Sequence, residues 1–243
     1  MYLIRLRYDG TDYSGYQRQK NAKTVGQELL QAAQTVFGKV EKFAGCSRTD
    51  SGVHANDYAI SFISDKTLDP GTVVRAMNAN LPDDIVVFSC KMVSDDFHAR
   101  YSVFSKEYVY NIYNCPVRSP FYGKYSLFYP HNIDVALLND GIKKFLGKHD
   151  FSSFMASGSK ITDATRTVIS ARVEKNGEMI CVFIEADGFL YNMVRIIVGT
   201  LLELNEGKIT KEDIDKIIEK KDRNAAGRTA PAHGLFLNRV NYG

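Results

Sequence analysis

Gly45-Cys46-Ser47-Arg48-Thr49-Asp50-Ser51-Gly52-Val53-His54-Ala55 places a guanidinium, a carboxylate and an imidazole within seven positions, among Ser, Thr and Gly residues that mark a turn. Residues 40–45 and 58–63 on either side read as strands, the second with Tyr58, Ile60 and Phe62 on one face. Asp50 therefore stands at the tip of a hairpin-like connection, held by a scaffold, where functional loops tend to be. A carboxylate in such a turn commonly does no more than bond its own backbone, with the neighbouring arginine solvated. The rest of the chain has to decide between the two.

Upstream, Tyr2, Ile4, Leu6 and Tyr8 alternate with Leu3, Arg5 and Arg7, the pattern of a half-buried strand. Asp9-Gly10 ends it, and a polar loop over 11–19 carries Tyr13, Tyr16 and Arg18. Thr24, with Gln27 three residues later, predicts a capping box opening a helix. Its apolar face runs Val25, Leu29, Ala32 or Ala33, and Val36, and Gly38 stops it. Downstream, Asp69-Pro70 is an N-cap with a proline at the first helical position, starting a helix to about Asn78. A strand over 84–93 follows. The order β-α-β-β-α-β is that of the ferredoxin-like split motif, which RNA-recognition modules also use. Residues 1–100 form this first half, with Asp95 to Arg100 as the junction.

Residues 101–243 open on a long strand, 102–113, with Tyr108, Tyr110 and Ile112 on one face. A loop with Pro116 and Pro120, a short strand over 125–129, and a helix over about 134–146 follow, the helix ended by Gly147. A Ser/Gly-rich loop over 152–159 is too polar for an ordinary connector. Strands 166–175 and 179–185 pair around Asn176-Gly177, the strongest short hairpin signal in the chain. Then come a helix over 190–204, a charged helix capped at Thr210, and a last strand over 235–242. The fold class expected is α+β: two ferredoxin-like or RRM-like halves with antiparallel sheets and an active-site cleft between them.

The totals restrict the function classes. A chain of 243 residues with 44% hydrophobic and 24% charged residues is ordinary for a soluble globular protein. No segment approaches the ~20 apolar residues of a membrane helix, and a strand begins at once with no signal peptide, so a cytoplasmic protein is expected. Four scattered cysteines make neither a zinc pattern nor a disulfide framework. A net charge of +3 permits a nucleic-acid partner without requiring one. Fourteen Tyr and fourteen Phe without Trp suit strand faces or stacking surfaces.

Two further residues could carry chemistry. Arg195 sits in the run Met193 to Leu202, apolar almost all round, so it needs a carboxylate or a polar cavity. Glu203 and Glu185 are local acids that could serve it structurally, and snorkelling to the surface would do as well. Tyr108 either packs in its sheet or offers a ring to a nucleobase. His54, His98 and His149 have no metal-ligand spacing, and there is no phosphate-binding glycine loop or nucleophile elbow. What remains is a carboxylate acting without metal or cofactor.

Residues 47–55 resemble the catalytic motif of the tRNA pseudouridine synthase A family, usually G-R-T-D-x-G-V-H-A, with Ser47 where that family often has Gly. Tyr8-Asp9-Gly10-Thr11 with Gly15-Tyr16-Gln17, Phe97-His98-Ala99-Arg100, Tyr108-Val109-Tyr110, residues 193–199 and residues 229–235 resemble the same family in the same order. The resemblance implies isomerisation of uridine to pseudouridine at positions 38, 39 and 40 of the tRNA anticodon stem-loop. It implies Asp50 as nucleophile, Tyr108 stacked on the target base, and Arg195 as the partner of Asp50. Arg48 and His54 would contact the substrate, and the enzyme would work as a homodimer on tRNA, with no metal and no membrane. Two rivals stand beside it. One is a non-catalytic RNA-binding module. The other is a hydrolase of the N-glycosidic bond, which wants a second acid, Asp57 being the nearest. Loops 17–23, 152–160 and 222–228 are the candidates for phosphate contact.

Overall fold

The computed structural model describes residues 1–158 and 161–243. It divides into two compact units, Met1–Phe104 with Phe236–Gly243, and Ser105–Leu235. In chain order the elements begin β1 (Tyr2–Tyr8), α1 (Val25–Phe37), β2 (Glu41–Gly45), β3 (His54–Ile63), α2 (Pro70–Asn78) and β4 (Ile85–Met92). They continue β5 (Val103–Tyr113), β6 (Leu127–Phe128), α3 (Val135–Ile142), β7 (Gly147–Asp150), β8 (Thr165–Asn176) and β9 (Met179–Ala186). Helices α4 (Met193–Asn205) and α5 (Lys211–Lys220) and the strand β10 (Leu235–Tyr242) complete the chain. The architecture is α+β.

In the first unit β1 lies antiparallel between β3 and β4, and β2 pairs antiparallel with the later residues of β3, Gly45 opposite Ile60. The earlier residues of β3 pair with β10 in parallel, Phe236 opposite His54 and Leu237 opposite Ala55. Two expectations change here. The sheet is mixed rather than antiparallel, because β10 arrives after a long excursion and not through a hairpin, which would impose the opposite direction. The last strand, expected in the second half, is counted with the first unit. The core follows the alternation read in β1: the Tyr2 ring stands 4.8 Å from Phe37 and 5.6 Å from Phe62.

Helix α1 buries the face expected of it, Val25, Leu29, Ala32, Ala33 and Val36, and ends at Gly38 with φ 76°. The capping box at its start does not form. Gly26 N–H donates to the Tyr16 carbonyl and Gln27 N–H to the Thr24 carbonyl, so the groups a cap would satisfy are already taken. Thr24 Oγ1 is buried and finds no hydrogen-bond partner among the described residues. Asp69, in contrast, caps α2 as its sequence predicts, accepting from Thr72 N–H at 3.1 Å.

In the second unit β5, β9, β8 and β7 are adjacent and antiparallel, and β6 lies parallel to β5. Helix α3 stops at Ile142 and tightens into a 3₁₀ turn over Lys143–Phe145. Gly147, with φ 95°, opens β7, a strand absent from the sequence reading. The segment read as a polar loop from Ser152 begins as a 3₁₀ turn, with Phe151 and Phe154 fully buried and Ser153 Oγ donating to the Ile217 carbonyl at 2.6 Å. Ser159 and Lys160 of that loop lie outside the described residues. In the β8–β9 hairpin Asn176 pairs with Met179, so the turn residues are Gly177 and Glu178. Only Gly177 has positive φ, 58°, which is the glycine-first pattern of a type II′ turn. The two caps can be separated by stability. Thr24→Val should change the unfolding free energy by less than about 0.5 kcal/mol, since it removes a hydroxyl that bonds nothing. Asp69→Ala should cost about 1 kcal/mol, both read by urea denaturation.

Candidate active site

The segment from Cys46 to Val53 that connects β2 to β3 is fastened by backbone hydrogen bonds together with hydroxyl groups. Tyr16 N–H donates to the Thr49 carbonyl at 3.2 Å, and Val53 N–H to the Asp50 carbonyl at 3.2 Å. Gly52 N–H and Ser51 Oγ both donate to the Tyr13 carbonyl. The Thr49 hydroxyl meets Tyr8 Oη at 2.8 Å, and the Tyr58 hydroxyl donates to the Ser47 carbonyl. Two glycines permit this closeness. A Cβ on Gly10 would overlap the Val53 carbonyl, and one on Gly15, where φ is 83°, would lie 2.5 Å from the Thr49 carbonyl. The segments around Tyr8 and Gly15 are thus the seat of the Asp50 turn.

Asp50 is half-buried, Thr49 buried and Arg48 exposed. His54 is fully buried as the first residue of β3. Its ring stacks on Phe236 at 4.5 Å, and its Nδ1 lies 3.0 Å from both Gly10 N and Asp9 Oδ1. As a neutral ring it accepts from Gly10; protonated at Nδ1, it donates to Asp9. His54 thus lies buried beneath the turn, covered by Phe236. Tyr16 and Tyr58, rings 4.7 Å apart, and Tyr8, 5.6 Å from Tyr58, complete a tyrosine frame that sequence reasoning missed. Its signal was tyrosines at polar, glycine-flanked positions. Burial pushes the Tyr58 and Tyr16 phenols well above their ordinary value, so both are neutral.

Asp57, the only rival acid weighed, is held by Arg5: Arg5 Nε donates to Asp57 Oδ1 at 2.8 Å, and Val240 N–H donates to Oδ2 at 3.2 Å. The Asp57 hydrogen bond raises the Arg5 pKa, outweighing burial. Among the described residues no group of three His, Cys, Asp or Glu side chains is placed to hold a metal ion. No helix among the described residues is long and apolar enough to cross a membrane.

In the second unit, α4 carries Arg195 on a helix otherwise buried nearly all round. Arg195 Nε donates to the Ala230 carbonyl at 2.7 Å, while Ala230 N–H donates back to the Arg195 carbonyl at 3.0 Å. Arg195 Nη1 donates to Asn192 Oδ1 at 2.8 Å. Glu203 Oε1 accepts from Arg228 N–H and Glu185 Oε1 from the Ser105 hydroxyl. The 228–230 strip can lie so close to α4 because Gly199 has no Cβ, which would otherwise penetrate the Arg228 carbonyl. Beneath it, Tyr110 Oη donates to the Pro231 carbonyl at 2.8 Å, and Gly234 rests on the Tyr110 ring. Burial pushes the Tyr110 phenol up, and the Arg195 charge pulls it the other way. Tyr108, 5% exposed, meets Phe189 edge-on at 4.8 Å.

The candidate phosphate loops differ. Residues 17–23 are mostly exposed. In 222–228, Arg228 pairs with Glu206 at 3.0 Å and Arg223 donates to Ala226 O and Thr229 Oγ1, so both are engaged by their own unit.

A family profile described as tRNA pseudouridine synthase matches residues 5–102 and 142–243. A tRNA pseudouridine synthase A of Clostridium acetobutylicum is 43% identical over 239 residues, 98% of each chain. The chain belongs to the tRNA pseudouridine synthase A family. Its relatives in Acetivibrio thermocellus and Clostridium perfringens are 43% and 38% identical, each over 98% of this chain and 97% or 98% of their own. A solved structure titled "Crystal Structure of a Cbf5-Nop10-Gar1 Complex" is similar at TM-score 0.41 and 11% identity, over 98% of this chain and 48% of that one. As a tRNA pseudouridine synthase the protein is an isomerase. Asp50 and Arg195 fall within the matched stretches, and Tyr108 falls between them.

Two outcomes test this architecture. Gly15→Ala should destabilise this pseudouridine synthase by about 1–3 kcal/mol in thermal or urea unfolding, from positive φ and the Thr49 contact together. His233 is held below its ordinary value of 6.5, by burial first and then by the Arg195 charge. The unfolded chain therefore takes up the proton more readily, and stability present above pH 6.5 is lost as pH falls below it. His233→Gln should flatten that acid limb of a pH–stability curve.

Proposed function

We propose that the protein converts uridine to pseudouridine at positions 38, 39 and 40 of the tRNA anticodon stem-loop, in the cytoplasm and as a homodimer. Asp50 is the nucleophile, Arg195 the partner of its carboxylate, Tyr108 the ring that stacks on the target base, and Arg48 a contact to the extruded nucleotide. His54 is assigned to bracing the Asp50 turn. Asp50 lies in the first unit, Tyr108 and Arg195 in the second. The observation that carries the reading is the Asp50 turn itself, stapled through its backbone to two upstream segments in a chain related over its length to pseudouridine synthases A.

The chemistry asks for what these residues supply. The N1–C1′ bond breaks, the base turns, C5 joins C1′, the C5 proton leaves to solvent and N1 gains a proton. A carboxylate is a competent nucleophile toward a sugar carbon with oxocarbenium character. It has to be ionised, and a guanidinium within about 4–6 Å keeps it so where low polarity would protonate it. The target base has to leave a helical stem at a cost of a few kcal/mol, and stacking on Tyr108 returns about 1–3 kcal/mol. Asp57, the nearest candidate for the second acid of a hydrolase, is bonded to Arg5.

With tRNA carrying tritium at uridine C5, the wild type should release label to water. Asp50→Asn should release none and still bind tRNA. Free uracil would indicate hydrolysis, and binding without release by the wild type would indicate a binding module. Sedimentation equilibrium reads the dimer.

A further inference from the structure

Asn192 departs from what its position ordinarily requires. It is the N-cap of α4, where asparagine commonly accepts from the second or third helical N–H. It makes no such bond and instead holds a left-handed backbone, φ 61°, ψ 10°. Glycine takes that conformation without steric cost, so what asparagine adds is its amide. The amide oxygen is spent on Arg195, accepting from Nη1 at 2.8 Å one helical turn away. The Ala230 carbonyl takes Nε at 2.7 Å from another side. Two fixed acceptors on two nitrogens of one planar group set the plane and direction of the guanidinium.

We propose that Asn192 is a positioning residue for the isomerisation, aiming Arg195 through its amide oxygen. The proposal rests on the assignment of Arg195 as partner of the Asp50 carboxylate. Without the amide, Arg195 keeps its charge and its Ala230 contact but loses the acceptor on Nη1, so the direction of its plane is fixed less closely. The loss is one of geometry, felt where the reacting groups must be aligned and not where tRNA is held.

The test separates backbone from amide. Asn192→Gly keeps the left-handed turn and deletes the oxygen; Asn192→Ala loses both. For Asn192→Gly, tRNA affinity and KM should stay at wild-type values, with only the small drop in melting temperature that one lost hydrogen bond brings. The single-turnover rate of tritium release should fall about 10- to 100-fold. Asn192→Ala should add a larger fall in melting temperature to the same loss. In nitrogen NMR of the arginine side chains, the Arg195 Nη signals should be distinct in the wild type and merge in Asn192→Gly as rotation quickens. A wild-type rate in Asn192→Gly, or a loss that appears in KM or tracks the melting temperature, overturns the proposal. Arg195→Ala is measured alongside. A wild-type rate there removes the assignment of Arg195 on which the inference stands, whereas its loss with an unaffected Asn192→Gly condemns the inference alone.

Discussion

The first unit depends on one close approach of backbone to backbone. The chain around Gly10 and Gly15 lies directly against the turn that carries Asp50, and the carbonyls of Thr49 and Tyr13 are satisfied across that contact. A buried turn with unmet carbonyls would cost about 1–3 kcal/mol for each group. Closing it against another stretch of main chain removes that cost, and it also fixes the turn without side chains that would crowd Asp50. The tyrosines then fill the space beneath, and their phenols meet the remaining oxygens at Thr49 and Ser47.

The second unit solves a related problem. A guanidinium on a helix that is apolar nearly all round cannot be left to water, and the strip at Ala230 and the Asn192 amide bring acceptors to it. Again a glycine makes this possible, since Gly199 lets the 228–230 strip reach the helix surface. Both units therefore use the same device. A missing side chain lets main-chain carbonyls and N–H groups approach, and those groups hold the Asp50 turn and the Arg195 side chain more firmly than flexible side chains would.

What was legible in the sequence was local. Asp69-Pro70 opened α2 as read, alternation placed β1 and β5, and Asn176-Gly177 located the last hairpin, because each signal acts within a few residues. The failures came where distant chain intervened. Thr24 did not cap α1, since the segment around Tyr16 had already occupied the N–H group of Gly26. Phe151 and Phe154, in a stretch that reads as polar, were drawn into the core of their unit. For the site, the motif residues were legible as a pattern of residue types. The burial of His54 was not, because it depends on Phe236, nearly two hundred residues away. Asn192 was legible only as a polar residue one turn before Arg195; its left-handed cap was not, since nothing in the order of residues announces that backbone.

The return of residues 236–243 to the first unit has a consequence for how the protein is made. A ribosome finishes the whole of Ser105–Leu235 before it supplies the strand that pairs with His54 and Ala55. Until then the early residues of β3 present an open edge, and the face of His54 that Phe236 later covers has no ring upon it. The nascent first unit can form most of its sheet, but the ground under the Asp50 turn is completed only once the residues after Leu235 have been made. A chain broken off before Phe236 would thus carry the Asp50 turn on an unfinished support.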